Sequence, residues 1–285
     1  MIWILLPAYN EENDLPDLLV KLKGSLDGKE YRLVVVNDGS TDGTRRILDE
    51  NKNELNLDVV QHPINRGLGE TERDGFEYIA LHSVDDDVIV RIEGDDTHEP
   101  RYMLDLLRKI EEGYDVVNTS RFQPGGGQLG VSAPRAFISR SANIFMRMLF
   151  GINGVRDYSC GYRAYRARIV KDALAIFGDN FIQLRGLGFT STLEVIVKLN
   201  ILGCRFAEVP FVLRYDQKIG SSKMVGSITM LGYLIMAALY WWPGSGWRKQ
   251  YKGLKTLYQK NPEGAVEKYA LGKLKNQKTA SKIKI

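Results

Sequence analysis

A series of short apolar, β-branched runs constrains this chain more than any other feature. They are Ile2 to Leu6, Leu33 to Val36, Leu57 to Gln61, Val88 to Ile92 and Asp115 to Thr119, the third and fifth also carrying polar residues. Runs this short, without polar alternation, suit strands buried on both faces of a parallel sheet. Helical spacing fills the gaps between them. One helix runs from a cap at Asn13 or Asp14 through Leu22, and a second follows the Ser, Thr and Asp residues before Thr44 and reaches Leu48. A third runs to about Leu81 and a fourth from Pro100 through Leu107. Such caps satisfy the free amides of a first turn, and Pro fits there because its missing N–H is not needed. Alternating strands and helices with short connections predict right-handed βαβ units and a mostly parallel α/β sheet flanked by helices.

Chemistry collects where the strands end. Glu11 follows the first run, Asp38 the second and Asp95 the fourth. In a parallel sheet those ends lie along one edge, where open α/β sheets form their ligand crevices. Carboxylates gathered there suit a hard cation such as Mg²⁺ or Mn²⁺, which in turn suits a diphosphate. The three acids Asp85, Asp86 and Asp87 precede a strand and read as a solvated turn rather than ligands. Glu194, on a helix predicted over Thr190 to Leu202, is a remote candidate for the same crevice.

Several classes are excluded. No G-x-G-x-x-G follows the first strand, which argues against a dinucleotide-binding dehydrogenase. Gly125-Gly126-Gly127 lacks the Lys and Ser/Thr of a P-loop and reads as a mobile surface loop. Cys160 and Cys204 have neither metal spacing nor a disulfide framework, which points to a reducing compartment. No secretory leader is expected from the short apolar start, and nothing calls for a nucleic-acid partner.

The loops carry a family likeness. Pro7-Ala8-Tyr9-Asn10-Glu11-Glu12, Val36-Asn37-Asp38-Gly39-Ser40-Thr41-Asp42-Gly43-Thr44 and Asn65-Arg66-Gly67-Leu68-Gly69 resemble the nucleotide-sugar half of family 2 inverting glycosyltransferases with the GT-A fold. Ser120-Arg121, Ser159-Cys160-Gly161-Tyr162-Arg163-Ala164, Glu208-Val209-Pro210 and Gly220-Ser221-Ser222-Lys223 resemble the polyprenyl-phosphate branch, typified by dolichyl-phosphate mannose synthase. The ordered set spans roughly the first three-quarters of the chain.

The resemblance implies transfer of a hexose from a UDP- or GDP-sugar to a polyprenyl phosphate, with Mg²⁺ or Mn²⁺ as cofactor. Pro7, Tyr9, Glu11, Asp38, Arg66, Gly67, Glu93, Gly94 and Asp95 would hold the donor. Asp95, with Glu93 and Thr97, would form the metal set. Arg121, Arg135 and Ser139 would hold the acceptor phosphate, and Lys223 would close over donor or acceptor. Each role has a plainer alternative: an Asx turn for Asp38, a packed loop aromatic for Tyr9, surface ion pairs for the arginines. Asp157 reads either as a base toward a hydroxyl acceptor or as a structural loop residue.

Two departures from the family pattern stand out. Its Asp-x-Asp, followed two residues later by Gln, becomes Glu93-Gly94-Asp95-Asp96-Thr97. Its Arg-x-x-Gly-x-Ser-Lys becomes a stretch with Gln217 in place of the Arg, which leaves Arg214 or Lys218 to supply the charge.

Met224 to Trp247 contains no charged residue and ends in a Tyr240-Trp241-Trp242 cluster. From Arg248 onward there are eleven Lys or Arg against Glu263 and Glu267 alone. Aromatics beside basic residues suit a membrane–water interface carrying anionic headgroups. The expected organisation is a GT-A domain over 1–223, an interfacial helical segment over 224–270 and a disordered basic tail over 271–285. The enzyme would be peripheral at the cytoplasmic face of the membrane, with a single span as the alternative.

Overall fold

The computed structural model describes residues 1–219, 226–242 and 245–270. In chain order the first half runs β1 (Ile2–Ala8), α1 (Leu15–Ser25), β2 (Tyr31–Asp38), α2 (Thr44–Asn51), β3 (Leu57–His62), α3 (Leu68–His82), β4 (Val88–Arg91), α4 (Met103–Glu111) and β5 (Val116–Ser120). The second half runs β6 (Gly127–Leu129), α5 (Ala133–Phe150), β7 (Arg163–Arg166), α6 (Ala167–Phe177), α7 (Thr190–Leu202), β8 (Phe206–Pro210), β9 (Val212–Arg214), α8 (Gly226–Met236), α9 (Gly246–Gln250), α10 (Leu254–Lys260) and α11 (Pro262–Tyr269). Pro100 opens a 3₁₀ turn ahead of α4.

Seven strands form one sheet in the order β3-β2-β1-β4-β7-β5-β8. All pairs are parallel except those of β7, which runs antiparallel to both β4 and β5. Alternate residues of each strand feed opposite layers, as the period-2 pleat requires. Ile4, Leu6, Val35 and Val90 pack with α1, α2 and α4, whereas Trp3, Leu5, Val34 and Val36 pack with the α3, α6 and α7 side. Both faces are covered, so the inner strands need no polar side. This is the mostly parallel α/β architecture predicted above.

Three local expectations are corrected. The Gly125–Gly127 region is no loose loop, because Gly127–Leu129 pairs in parallel with Val212–Arg214. Its backbone hydrogen-bonding groups found a partner far along the chain, which no local pattern announces. Asp87 is not solvated: it is buried and accepts from the Trp3 indole at 2.8 Å, the chain's N-terminal amine at 2.9 Å and the Val84 amide at 2.9 Å. Asp14 starts α1 without capping it through its side chain, and its Oδ1 accepts the Ile219 amide at 2.9 Å instead.

Among the described residues no helix is long and apolar enough to cross a membrane. The uncharged stretch is instead α8 followed by a π-helical turn, Ala237–Trp241. α8 leaves Ile228, Met230, Leu231 and Leu234 exposed, and Trp242 follows them. By contrast, Leu254, Tyr258 and Ala265 of α10 and α11 join the core on the α6 and α7 side. Lys223 and the 271–285 tail lie outside the described residues.

Candidate active site

The carboxyl edge of β1, β2, β3 and β4 forms the rim. Two loops there are laced together. The Asn10 amide donates to Ser40 Oγ at 2.9 Å, the Glu11 amide to Thr44 Oγ1 at 2.8 Å and the Gly43 amide to Glu12 Oε2 at 2.7 Å. Gly39 has φ +67°, and a Cβ there would lie 2.2 Å from the Ile64 carbonyl carbon, so only glycine lets the loop after β2 approach the loop after β3.

Asp38 is buried and fully engaged. Its Oδ1 accepts the Arg66 amide at 2.8 Å and meets His62 Nδ1 at 2.6 Å, while its Oδ2 accepts the Gly67 amide at 2.9 Å. It therefore holds the Arg66–Gly67 loop in place. His62 touches a second acid, Asp74, through Nε2 at 3.0 Å. Burial alone would depress His62, but the hydrogen bonds to Asp38 and Asp74 outweigh it and push the imidazole up to about 9. Sequence reading missed His62; its place directly beyond the third apolar run was the available signal. The Arg66 guanidinium turns to Asp74 at 2.6 Å and Glu70 at 3.1 Å.

Beyond β4 the acidic stretch divides into unlike environments. Glu93 pairs with Arg91, a fully buried guanidinium that also meets Glu72 at 2.9 Å. Gly161 makes room for this: a Cβ on it would fall 1.9 Å from Arg91 Nη1. Gly94 lies against the Pro7 carbonyl and Glu11, which draws the first and fourth strand ends together. Asp95 Oδ1 accepts the Thr97 hydroxyl at 2.7 Å, and its Oδ2 pairs with the Lys218 ammonium. Burial raises the Asp95 pKa, yet Lys218, His98 and these hydrogen bonds together hold it below the usual carboxylate range. Thr97 thus steadies Asp95. Asp96, at φ 53°, pairs with Lys21 of α1. Arg214 pairs with Asp216 at 2.9 Å and with Glu99 at 3.9 Å, so of the two candidates for the missing Arg it is Lys218 that reaches Asp95.

A second group sits past β5. Arg121 donates to Asp157 through Nε at 2.7 Å and Nη2 at 2.8 Å, and to Ser159 Oγ at 2.6 Å. Asp157 is fully buried, and it also accepts the Arg121 and Cys160 amides and, at 3.3 Å, the Ser159 hydroxyl. Asn143 of α5 extends the chain of bonds, donating to Ser159 Oγ at 2.9 Å and to the Ser139 carbonyl at 2.9 Å. Arg135 stacks over the Tyr215 ring at 4.6 Å and donates to its hydroxyl at 2.8 Å. Glu194 is in neither group. It is buried in α7, facing Lys198 and Tyr240.

The family model for glycosyl transferase family 2 matches residues 3–174. The chain belongs to glycosyl transferase family 2. This transferase is 30% identical over 244 residues to an undecaprenyl-phosphate mannosyltransferase of Micrococcus luteus, covering 85% of this chain and 94% of that one. It is 27% identical over 226 residues to a polyprenol monophosphomannose synthase of Mycolicibacterium smegmatis, covering 79% and 81%. In fold it is similar to glucosyl-3-phosphoglycerate synthase from Mycobacterium tuberculosis, solved with Mn²⁺, UDP and phosphoglyceric acid (TM-score 0.57, 19% identity, 84% of this chain and 77% of that one). It is similar also to Staphylococcus aureus TarS 1–349 (TM-score 0.54, 18% identity, 92% and 73%). The transferase therefore has the GT-A fold.

Proposed function

We propose that this family 2 transferase moves a hexose, with inversion, from a UDP- or GDP-sugar to a polyprenyl phosphate at a membrane surface, using Mg²⁺ or Mn²⁺. The carrying observation is the Asp95 carboxylate at the rim, facing the Lys218 ammonium. Among the described residues no group of three or more His, Cys, Asp or Glu side chains is placed to hold a metal ion alone. One carboxylate completed by substrate phosphate oxygens is the way Mg²⁺ is commonly held, and the Lys218 ammonium marks the spot where Asp95 accepts a cation. The residues fit. Asp95 would be the protein ligand; Glu93, turned to Arg91, and Thr97, donating to Asp95, would be its supports. When bound, the cation stabilises charge that develops on the leaving diphosphate.

The acceptor reading rests on Arg135 and Ser139 of α5, with Arg121 anchored behind them by Asp157. A phosphate attacks the anomeric carbon as an anion and needs no general base, so positioning is the main task. That accords with Asp157 being bound to Arg121 and held below the usual carboxylate range, its burial outweighed by that guanidinium. Residues 1–223 are read as the transferase domain and 224–270 as the segment resting at the cytoplasmic face of the bilayer. α8 and Trp242 would meet lipid, while α10 and α11 tie the segment to the domain. On α5, Phe137, Ile144 and Met148 are also exposed, beside Arg140, so α5 and α8 would share the contact.

A panel of UDP- and GDP-sugars incubated with polyprenyl phosphate and Mn²⁺ or Mg²⁺ tests this reading. The expected result is a metal-dependent, chloroform-soluble glycosylated product from one donor. Transfer of the sugar into water-soluble glycan alone, with release of the nucleoside diphosphate, would replace the lipid acceptor with a sugar hydroxyl.

A further inference from the structure

β4 runs through the core, and one of its buried side chains is charged. Ile89, Val90 and Ile92 are fully buried, as a strand covered on both faces requires, yet Arg91 among them is only 1% exposed. Burying a guanidinium is costly unless acids close to it offset the lost water. Those acids are Glu72 of α3, at 2.9 Å, and Glu93 at the rim. Arg163, opposite Arg91 in β7, is equally buried and directs its own guanidinium to the Thr192 carbonyl and, at 3.0 Å, to that of Tyr158. Gly161 leaves room for the pair itself: an added Cβ would fall 1.9 Å from Arg91 Nη1 and 2.8 Å from Glu93 Oε1. Two residues apart on an extended backbone, Arg91 and Glu93 leave it on the same side. The glutamate arm reaches back to the guanidinium, and an aspartate, one methylene shorter, would stand further from it.

Resting on the metal reading above, we propose that Arg91 is a positioning residue that draws Glu93 away from the cation and leaves Asp95 as the one acid of the stretch that ligates it. A carboxylate bound to a guanidinium has committed an oxygen and much of its charge to a strong, oriented hydrogen bond. That accords with the finding that, among the described residues, no three His, Cys, Asp or Glu side chains gather around one point. The glutamate at 93 and the arginine two residues before it are then one device, in which the longer acid answers the buried charge. Were Arg91 structural filling only, an uncharged side chain of similar volume would serve among these apolar neighbours.

A thermodynamic cycle tests this without turnover. Mn²⁺ binding is followed by electron paramagnetic resonance on the full chain, on Arg91→Met/Glu72→Gln, on Glu93→Gln and on the three changes together, each with and without UDP or GDP. The paired change removes one charge of each sign, so net charge is unaltered and no buried partner of the Arg91–Glu72 contact is stranded. Circular dichroism checks the fold. Mn²⁺ affinity of the paired variant should rise at least about fivefold, the lower end of typical site coupling, because Glu93 is released toward Asp95. Adding Glu93→Gln should cancel the rise, since the gain runs through that carboxylate. Equal affinity in the parent chain and the paired variant, or a rise that survives Glu93→Gln, overturns the role of Arg91 and leaves the function above intact. If the paired variant does not fold, Glu93→Asp decides: its shorter acid stands off from Arg91 and the same rise is expected, whereas unchanged or weaker binding overturns the role. Absence of Mn²⁺ binding in every protein, even with UDP and GDP, overturns it together with the metal reading.

Discussion

Two carboxylate–lysine pairs, Asp95–Lys218 at the rim and Glu194–Lys198 in the core, use the same chemistry to opposite ends. In the core every atom of the pair is claimed. Glu194 accepts the Gln183 and Leu184 amides at 2.9 and 2.8 Å and the Tyr240 hydroxyl, and Lys198 donates to the Asn180 carbonyl. The ammonium also sits 4.0 Å from the Trp247 ring centre and 4.8 Å from that of Tyr240. Since Tyr240 and Trp247 belong to the C-terminal segment and Lys198 to α7, the pair fastens that segment to the transferase domain. Burial dominates its titration: Lys198 is depressed to about 8 despite Glu194. At the rim, burial also works against the Lys218 charge, but Asp95 outweighs it and the pKa rises. The core pair joins two helical segments, whereas the rim pair joins the loop after β4 to the segment after β9.

The largest effect that would test this contrast is on turnover. Asp95→Ala should lower kcat/KM by about 10³-fold, the scale of losing one preorganised electrostatic contact, while Asp86→Ala leaves it unchanged. Equal losses in assays of both would mean that the rim pair is not where the cation belongs. Next in size is Glu194→Ala, which strands a buried ammonium and should destabilise the fold by about 3–5 kcal/mol in urea unfolding. An unaltered midpoint would show that the core pair fastens nothing.

A third charged contact, Asp38–His62–Asp74, predicts a pH profile. The folded His62 pKa of about 9 lies above the ordinary 6.5, so its contribution is complete below pH 6.5 and is lost as pH rises toward 9. The loss should be about 3 kcal/mol, and His62→Asn should abolish that slope in denaturant titrations. Lys198 has the opposite sign: its folded pKa lies below the unfolded one, so stability rises from about pH 8 toward 10.5. Lys198→Met should remove that rise. The smallest effect is expected for Lys218→Met in unfolding, because the Asp95 carboxylate left behind is 17% exposed and keeps the Thr97 hydroxyl.

The strand and helix order was legible because each apolar run and each following cap is a local signal. Leu57–His62 and Thr190–Leu202 formed as the pattern predicted. Of the site, what could be read was which residues stand at strand ends: Glu11, Asp38, Asp95 and Arg121. What each of them touches could not be read. Asp38 grips two amides 28 and 29 residues away, and Asp95 finds its cation 123 residues away. The Gly127–Leu129 strand and the buried Asp87 were opaque for the same reason, since their partners are distant in sequence.

The order of residues thus determined the βα alternation, the gathering of acids along one sheet edge and membership of the family, because each depends on neighbours a few positions apart. The tertiary structure alone decided which charges meet in the core and which at the rim. That choice depends on burial and on partners supplied by remote segments, and two Lys–carboxylate pairs of like composition come out differently once the chain has closed around only one of them.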